Sequence, residues 1–496
     1  MHWDKICDFL KEKVKELNRD GVILSLNFDL NSVTLLHLCC KAFPPENVYA
    51  VLFDVDKREK AEKLKEKFNF NLIERDLTPV MKKIEEEAIG DKGLRERLKL
   101  ISLYYYGEWK NCLVLSDIDK TEWELGEFVK FGENGGDVAP FKDIYKSEVL
   151  EIGKELGIPE EYLKNELGKE EKVLKGEKEG LSDDFIKEVE KRVKEGEFKR
   201  SFVECLPAKE SLDINCDEEA EKIIKFLRDV ASKYGKEGAV VGVSGGIDSA
   251  CVASLCVRAF GKDKVFSLIM PEKDSNPESV KDAYLMCDLL DLDRKFIDLT
   301  PILEEFGIYD LIFRKLFPGR FLTSLFVKIG YRFFGREQSP YVEGLLGARK
   351  EWIRRVDAYH RIKHRIRMCL LYYYAEKKNY LVAGTANRSE ALSGFFVKYG
   401  DGVSDVMPIL HLYKTHVRKL SKHIGVPEKI IKKAPSPDLL PGITDELALK
   451  MTYETLDKIL VGEAEKIDKK MVEYVNKLKK LSEHMREPPF VLCVKE

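Results

Sequence analysis

Apolar residues near the start of the chain fall at Ile6, Phe9, Leu10, Val14 and Leu17, a spacing that predicts a helix over residues 4–17. The run 21–26 then reads as a buried strand, 27–32 as a polar loop, and 33–38 as the start of a second helix. A strand at 48–53, a Lys/Glu-rich helix at 57–67 and a short strand at 70–73 continue the alternation. Strands alternating with helices predict parallel strands joined by crossover helices. The same order returns after residue 217. Asp217 can cap a helix carrying Ile223, Ile224, Phe226, Leu227 and Val230. A strand at 239–243, a buried helix from Ala250, and strands at 265–269 and 296–298 follow.

The recurrence extends to residue identity. Asp76-Leu77-Thr78-Pro79 returns as Asp298-Leu299-Thr300-Pro301, Lys130-Phe131-Gly132 as Lys398-Tyr399-Gly400, and Tyr145-Lys146 as Tyr413-Lys414. Gly157-Ile158-Pro159-Glu160 returns as Gly425-Val426-Pro427-Glu428. The offset is 217 at Ser32/Ser249, 222 at Asp76/Asp298 and a constant 268 from Glu122/Glu390 onward. The chain therefore reads as a tandem duplication. Its expected parts are a first copy over 1–165, a charged helical linker over 166–216, and a second copy over 217–496 with an inserted segment at about 307–356. Within that insertion, residues 311–336 hold six Lys/Arg, no Asp or Glu, and seven aromatics. Such a segment suits a helical lid whose cations face phosphates, or else an RNA or lipid surface.

Composition narrows the function classes. Formal net charge is −3 with 34% charged residues, so no overall field recruits nucleic acid. No run of 18 apolar residues and no basic-apolar leader is visible, and a soluble cytoplasmic protein is expected. The 11 cysteines include no Cys-x-x-Cys pair and read as reduced core residues rather than disulfides or zinc ligands.

The chemistry concentrates at residues 244–249, Ser-Gly-Gly-Ile-Asp-Ser, between a predicted strand and a predicted helix. A small-residue loop opening a helix gathers backbone N–H groups where an anion binds well. Gly245 and Gly246 allow close approach, and Ser244 and Ser249 add hydroxyls. Asp248 beside that anion calls for a cation, with Mg²⁺ the natural choice. No Gly-Lys-Ser/Thr follows, so this is not a Walker loop. It resembles the pyrophosphate loop of the ATP pyrophosphatases, which cut ATP between the α and β phosphates.

The second copy resembles the NAD synthetases in their ammonia-dependent form, over residues 217–490 apart from the insertion. The resemblance is carried by Gly384-Thr385-Ala386-Asn387-Arg388-Ser389-Glu390, Gly394-Phe395-Phe396-Val397-Lys398-Tyr399-Gly400-Asp401, Pro435-Ser436-Pro437-Asp438-Leu439, Thr444-Asp445-Glu446 and the stretch from Ser482 to Pro489. It implies two tandem doubly wound parallel-sheet domains of the adenine nucleotide alpha hydrolase type, related by a pseudo-twofold. It implies an amide ligase using ATP and Mg²⁺ to join deamido-NAD and ammonia through an acyl-adenylate, releasing AMP and pyrophosphate. By the same resemblance Asp248, Glu390 and Ser436 hold the metal. Ser244, Gly245, Gly246, Asp248, Ser249, Arg367, Thr385, Lys398 and Lys414 bind ATP, and Asp401, Asp405 and Lys414 serve catalysis.

Departures concern the acid rather than ATP: Arg361, Ala448 and Met485 replace family residues on the acyl side. An adenylating ligase for another carboxylate is therefore an alternative, as is an RNA-modifying or sulfur-transfer enzyme. In the first copy Asn31 stands for Asp248, Asn27 for Ser244, and Phe28-Asp29 for the two glycines, while Glu122, Lys130, Asp137 and Lys146 remain. An Asn cannot balance a magnesium charge, so that copy is expected to be inactive. It can take the place of the family's second subunit, giving a monomeric pseudodimer, with Tyr104-Tyr105-Tyr106 either at the contact or in its own core. No glutaminase domain is recognisable, so ammonia is free or comes from a separate partner.

Overall fold

The computed structural model describes residues 3–201, 203–310, 339–347, 350–436 and 443–493. The basic aromatic stretch 311–336 and the motif residues Pro437, Asp438 and Leu439 lie outside the described residues. The chain divides into two compact units. One comprises Met1–Ser201, Arg349–Ala358 and Glu487–Glu496; the other comprises Phe202–Ala348 and Tyr359–Arg486. The protein has an α/β fold with parallel sheets.

In the first unit, β1 (Gly21–Ser25), β2 (Val48–Leu52), β3 (Asn71–Glu74) and β4 (Cys112–Val114) form a parallel sheet in the order β3-β2-β1-β4. Parallel neighbours need crossovers, and these run through the helices Leu30–Ala42, Arg58–Phe68 and Lys92–Lys110. Val22, Leu24, Ala50 and Leu52 from the strands pack with Val33, Leu36 and Cys39 in one buried core. The short β5 (Val138–Ala139) pairs with β12 (Phe490–Val491), a strand from the far end of the chain.

In the second unit, β6 (Glu204–Cys205), β7 (Ala239–Gly242), β8 (Val265–Ile269), β9 (Asp293–Phe296), β10 (Leu381–Ala383) and β11 (Val406–Met407) form a parallel sheet in the order β6-β11-β10-β7-β8-β9. The β9-β8-β7-β10 run has the strand order of β3-β2-β1-β4. β7 is short, and the helix Ile247–Phe260 behind it is buried almost throughout. A helix apolar on all sides belongs inside a domain, which fixes the loop between them at the strand's C-terminal end.

Two expectations shift. The strand expected at 296–298 lies at Asp293–Phe296. This edge strand is polar on its open side, so its apolar residues mark its end rather than its extent. The charged stretch after residue 165 is helical, at Gly168–Leu174, Asp183–Glu195 and Glu197–Arg200, but it is not only solvated. Val173 and Val189 share a small core with Leu125, and Glu171 accepts a hydrogen bond from Thr121. Within the expected linker, Glu204–Cys205 becomes the edge strand β6.

All 11 cysteines are free thiols. No helix among the described residues is long and apolar enough to cross a membrane.

Candidate active site

The loop after β7 folds on its own hydroxyls. The Ser244 amide donates to Ser249 Oγ at 3.2 Å, Ser249 Oγ donates to the Gly246 carbonyl at 3.0 Å, and the Gly246 amide meets Ser244 Oγ at 3.3 Å. Gly245 has φ +75°, and a Cβ there would lie 2.1 Å from the Ser279 carbonyl oxygen. Only glycine fits both the left-handed backbone and that approach. Gly246 is the N-cap of the helix Ile247–Phe260 and brings no side chain to its N–H groups. The helix therefore keeps its N-terminal donors for an anion.

Asp248, on the first turn of that helix, meets two other elements. Its Oδ2 accepts from Lys414 Nζ at 2.6 Å and its Oδ1 from Asn387 Nδ2 at 2.9 Å. Lys414 Nζ also reaches Glu390 Oε1 at 3.0 Å. Asn387 caps the helix Arg388–Ser393, accepting from the Glu390 amide, so the capping box fixes both residues together. Lys414 is the first residue of the helix Lys414–His423 and is 1% exposed. Its amide donates to Ser389 Oγ at 2.9 Å. Asp457 accepts from the Thr415 amide and hydroxyl and from Ser389, which sets the helix start and with it the lysine.

One lysine serves two carboxylates, and the balance is visible in their acidities. Burial pushes the Glu390 carboxyl up to about 8; Lys414 offsets this, and the Asp248 charge adds to it. Lys414 is held as a cation against its burial by Asp248 and Glu390. Asp445, pushed up to about 6 by burial, also senses this charge group and accepts from Tyr453 OH at 2.9 Å. An oxygen-only carboxylate pair beside an anion-binding helix start is a donor set that a hard divalent cation fits. No group of three or more His, Cys, Asp or Glu side chains among the described residues is arranged to hold a metal. Asp248 and Glu390 could supply two ligands, with phosphate and water completing the shell, as is common for Mg²⁺.

Other expected site residues have partners within the fold. Both oxygens of Asp405 are used inside the fold, Oδ1 by Tyr372 OH at 3.0 Å and Oδ2 by the Val382 amide at 2.9 Å. In this position Asp405 braces β10 against β11 from inside the fold. Asp137 repeats the brace in the first unit, with Tyr104 OH at 2.9 Å and the Val114 amide at 3.0 Å. Tyr104 is thus bound within its own unit. Asp401 accepts from the Val397 amide at 2.8 Å and closes the loop around residue 400. Ser436 is exposed and donates to the Ile443 carbonyl at 2.8 Å. Arg367 donates to the Met270 carbonyl at 3.2 Å, Lys398 to the His484 carbonyl at 3.1 Å, and Thr385 is half-buried just after β10. Asn387, Tyr453 and Asp457 were not singled out from the sequence. Asn387 was within reach, because its repeat partner is Asp119.

The first unit holds a transposed version of the same group. Asn31 Nδ2 donates to Asp119 Oδ2 at 2.9 Å and to Glu122 Oε2 at 3.2 Å, and Lys146 Nζ bridges Glu122 and Asp119. The Asp–Asn pair of the second unit has become an Asn–Asp pair with unchanged charge. The helix start has changed more. Asp29 caps Leu30–Ala42 through the Ser32 amide at 2.8 Å, so a carboxylate of the chain takes the anion's place. Phe28 adopts φ +65° at the position of Gly245.

The NAD synthase family model matches residues 2–170, 219–311 and 348–489. The chain belongs to the NAD synthase family. Among members of the family, the NH(3)-dependent NAD(+) synthetase of Thermotoga maritima is 48% identical over 274 residues, covering 54% of this chain and 96% of that protein. The NH(3)-dependent NAD(+) synthetase of Methanocaldococcus jannaschii is 40% identical over 284 residues, covering 55% of this chain and 95% of that protein. Among solved structures, NMN synthetase from Francisella tularensis is 29% identical and covers 57% of this chain and 99% of that one, with a TM-score of 0.43.

Proposed function

We propose that the protein is an ATP- and Mg²⁺-dependent amide ligase that forms NAD from deamido-NAD and ammonia, releasing AMP and pyrophosphate. The observation that carries the reading is the convergence of Asp248, Glu390 and Lys414 on an uncapped, glycine-opened helix start. The names of the relatives support ammonia as the nitrogen source. In this reading the loop 244–249 holds the ATP phosphates through its amides and hydroxyls. Asp248 and Glu390 would hold Mg²⁺, which neutralises phosphate charge when bound. Lys414, fixed by Ser389 and Asp457, places a further positive charge beside the phosphates as the substrate carboxylate attacks the α-phosphorus. Ammonia then attacks the acyl carbon and AMP leaves.

The capped helix start and Phe28 in the first copy support a single working site, in the second copy. The sequence repeat supports the finer organisation: a degenerate copy over 1–165, a linker over 166–216 and a working copy over 217–496, as two doubly wound domains. It also supports a monomeric pseudodimer, which light scattering on the full chain tests. A separate glutaminase could supply ammonia, and a cytoplasmic location fits this chemistry. The deciding experiment incubates the protein with ATP, Mg²⁺, ammonium and a panel of carboxylates including deamido-NAD. AMP and pyrophosphate in equal amounts, with NAD as product, support the reading. ADP as main product, or faster turnover of another acid, overturns it.

A further inference from the structure

The phosphate loop is held from behind by a lysine that takes no part in the carboxylate group. Lys433 Nζ donates to the Gly245 carbonyl at 3.3 Å, to Ser279 Oγ at 2.9 Å and to Asp282 Oδ2 at 2.9 Å. Asp282 is 1% exposed, and its other oxygen meets Lys429, one turn earlier, at 2.7 Å. Ser279 and Asp282 belong to the helix Pro277–Leu289, on which the Gly245 backbone rests directly. Lys433 thus ties three pieces together: the loop, that helix, and the segment leading to Ser436.

The geometry has a direct consequence for the loop amides. In a trans peptide the C=O and the following N–H point in opposite directions. Holding the Gly245 oxygen toward Lys433 therefore aims the Gly246 N–H to the other side, where it meets Ser244 Oγ. The repeat within the chain provides a comparison. At the offsets that align the copies, Phe28 replaces Gly245, Lys57 replaces Ser279, Lys60 replaces Asp282 and Asn165 replaces Lys433. The copy without an open helix start keeps none of the clamp's side chains; there Lys57 Nζ donates instead to the Asn27 carbonyl, one residue earlier in the loop, at 3.2 Å.

We propose that Lys433 is a positioning residue for ATP, orienting the Gly245–Gly246 peptide so that the loop receives phosphate; this rests on the ATP-cleaving reading of the site. The test uses the full chain and measures pyrophosphate release with ATP varied at saturating acid, and with acid varied at saturating ATP. Lys433→Met is expected to raise KM for ATP about tenfold, the loss of one charge-assisted hydrogen bond. KM for the acid stays at its wild-type value, and Lys433→Arg recovers most of the loss. Asp282→Asn, which keeps the side-chain shape, moves KM for ATP in the same direction. A wild-type KM for ATP in Lys433→Met, or equal losses for ATP and acid with a lower melting temperature, overturns the proposal. If the wild-type chain releases no pyrophosphate, the functional reading fails instead. Calorimetric titration of wild type and Lys433→Met with a non-hydrolysable ATP analogue then decides the clamp by itself: weaker binding in the variant supports it, and equal binding overturns it.

Discussion

Changing Asn387 to Asp, and then Asp248 to Asn in the same chain, converts the charge arrangement of the second unit into that of the first. Asn387 Nδ2 now donates to Asp248 Oδ1 at 2.9 Å. An Asp at 387 can still cap the helix Arg388–Ser393, so the single substitution adds a charge and removes the donor that faces Asp248. It places a third carboxylate around one lysine. With charge centres about 4 Å apart and an effective dielectric of about 20, the new repulsion is about 4 kcal/mol. Lys414 recovers part of it, leaving a net cost of about 2–4 kcal/mol, or a fall in melting temperature of about 5–10 °C for a unit of this size. Adding Asp248→Asn removes the repulsion and restores a donor, as Asn31 donates to Asp119 at 2.9 Å. The double variant is therefore expected to regain at least about 2 kcal/mol, a coupling typical of contacting residues. Thermal unfolding in EDTA measures stability, and pyrophosphate release measures chemistry. Asp248→Asn and the double variant should each lose at least about a thousandfold in kcat/KM, because the carboxylate at the phosphate loop is gone. If Asn387→Asp melts with wild type, or the double variant melts no higher than Asn387→Asp, the transposition argument is wrong.

Gly245→Ala should cost about 2 kcal/mol or more and remove most ATP turnover, because its Cβ would meet the Ser279 carbonyl in a left-handed backbone; retained turnover in the pyrophosphate assay would count against the close approach. Asp29→Ala should lower stability by about 1 kcal/mol through loss of the cap while pyrophosphate release stays at the wild-type rate; a drop in turnover with unchanged folding would place chemistry in the first copy. His416 is fully buried, and burial lowers its imidazole to about 4. The unfolded chain, with an ordinary pKa of about 6.5, then binds the proton more readily, so the contribution is present above that value and is lost as pH falls from about 6.5 to 4. It amounts to at most about 3 kcal/mol, and His416→Gln should flatten the slope of stability against pH over that window; an unchanged slope refutes it.

Much of the site was legible because the backbone dictates it locally. A strand, two glycines and a buried helix can only place a loop such as 244–249 at a sheet's C-terminal edge, and the chain writes that order into adjacent residues. Phe28 and Asp29 announced in the same way that the first copy's helix start differs from the second's, since both effects act within one turn. The partners of Asp405, Tyr372 and Val382, were not legible locally, because only the fold brings them near it. Lys433 carries no local signal at all: a lysine among lysines, it acquires a role by meeting a helix and a glycine carbonyl more than 150 residues away in sequence. Where each strand hands over to its helix could be read along the chain, because propensity, capping and glycine freedom are short-range. Which carboxylates share one lysine, and which are spent bracing the sheet, was decided only by the tertiary structure, because charge balance and burial depend on partners the chain brings together by folding.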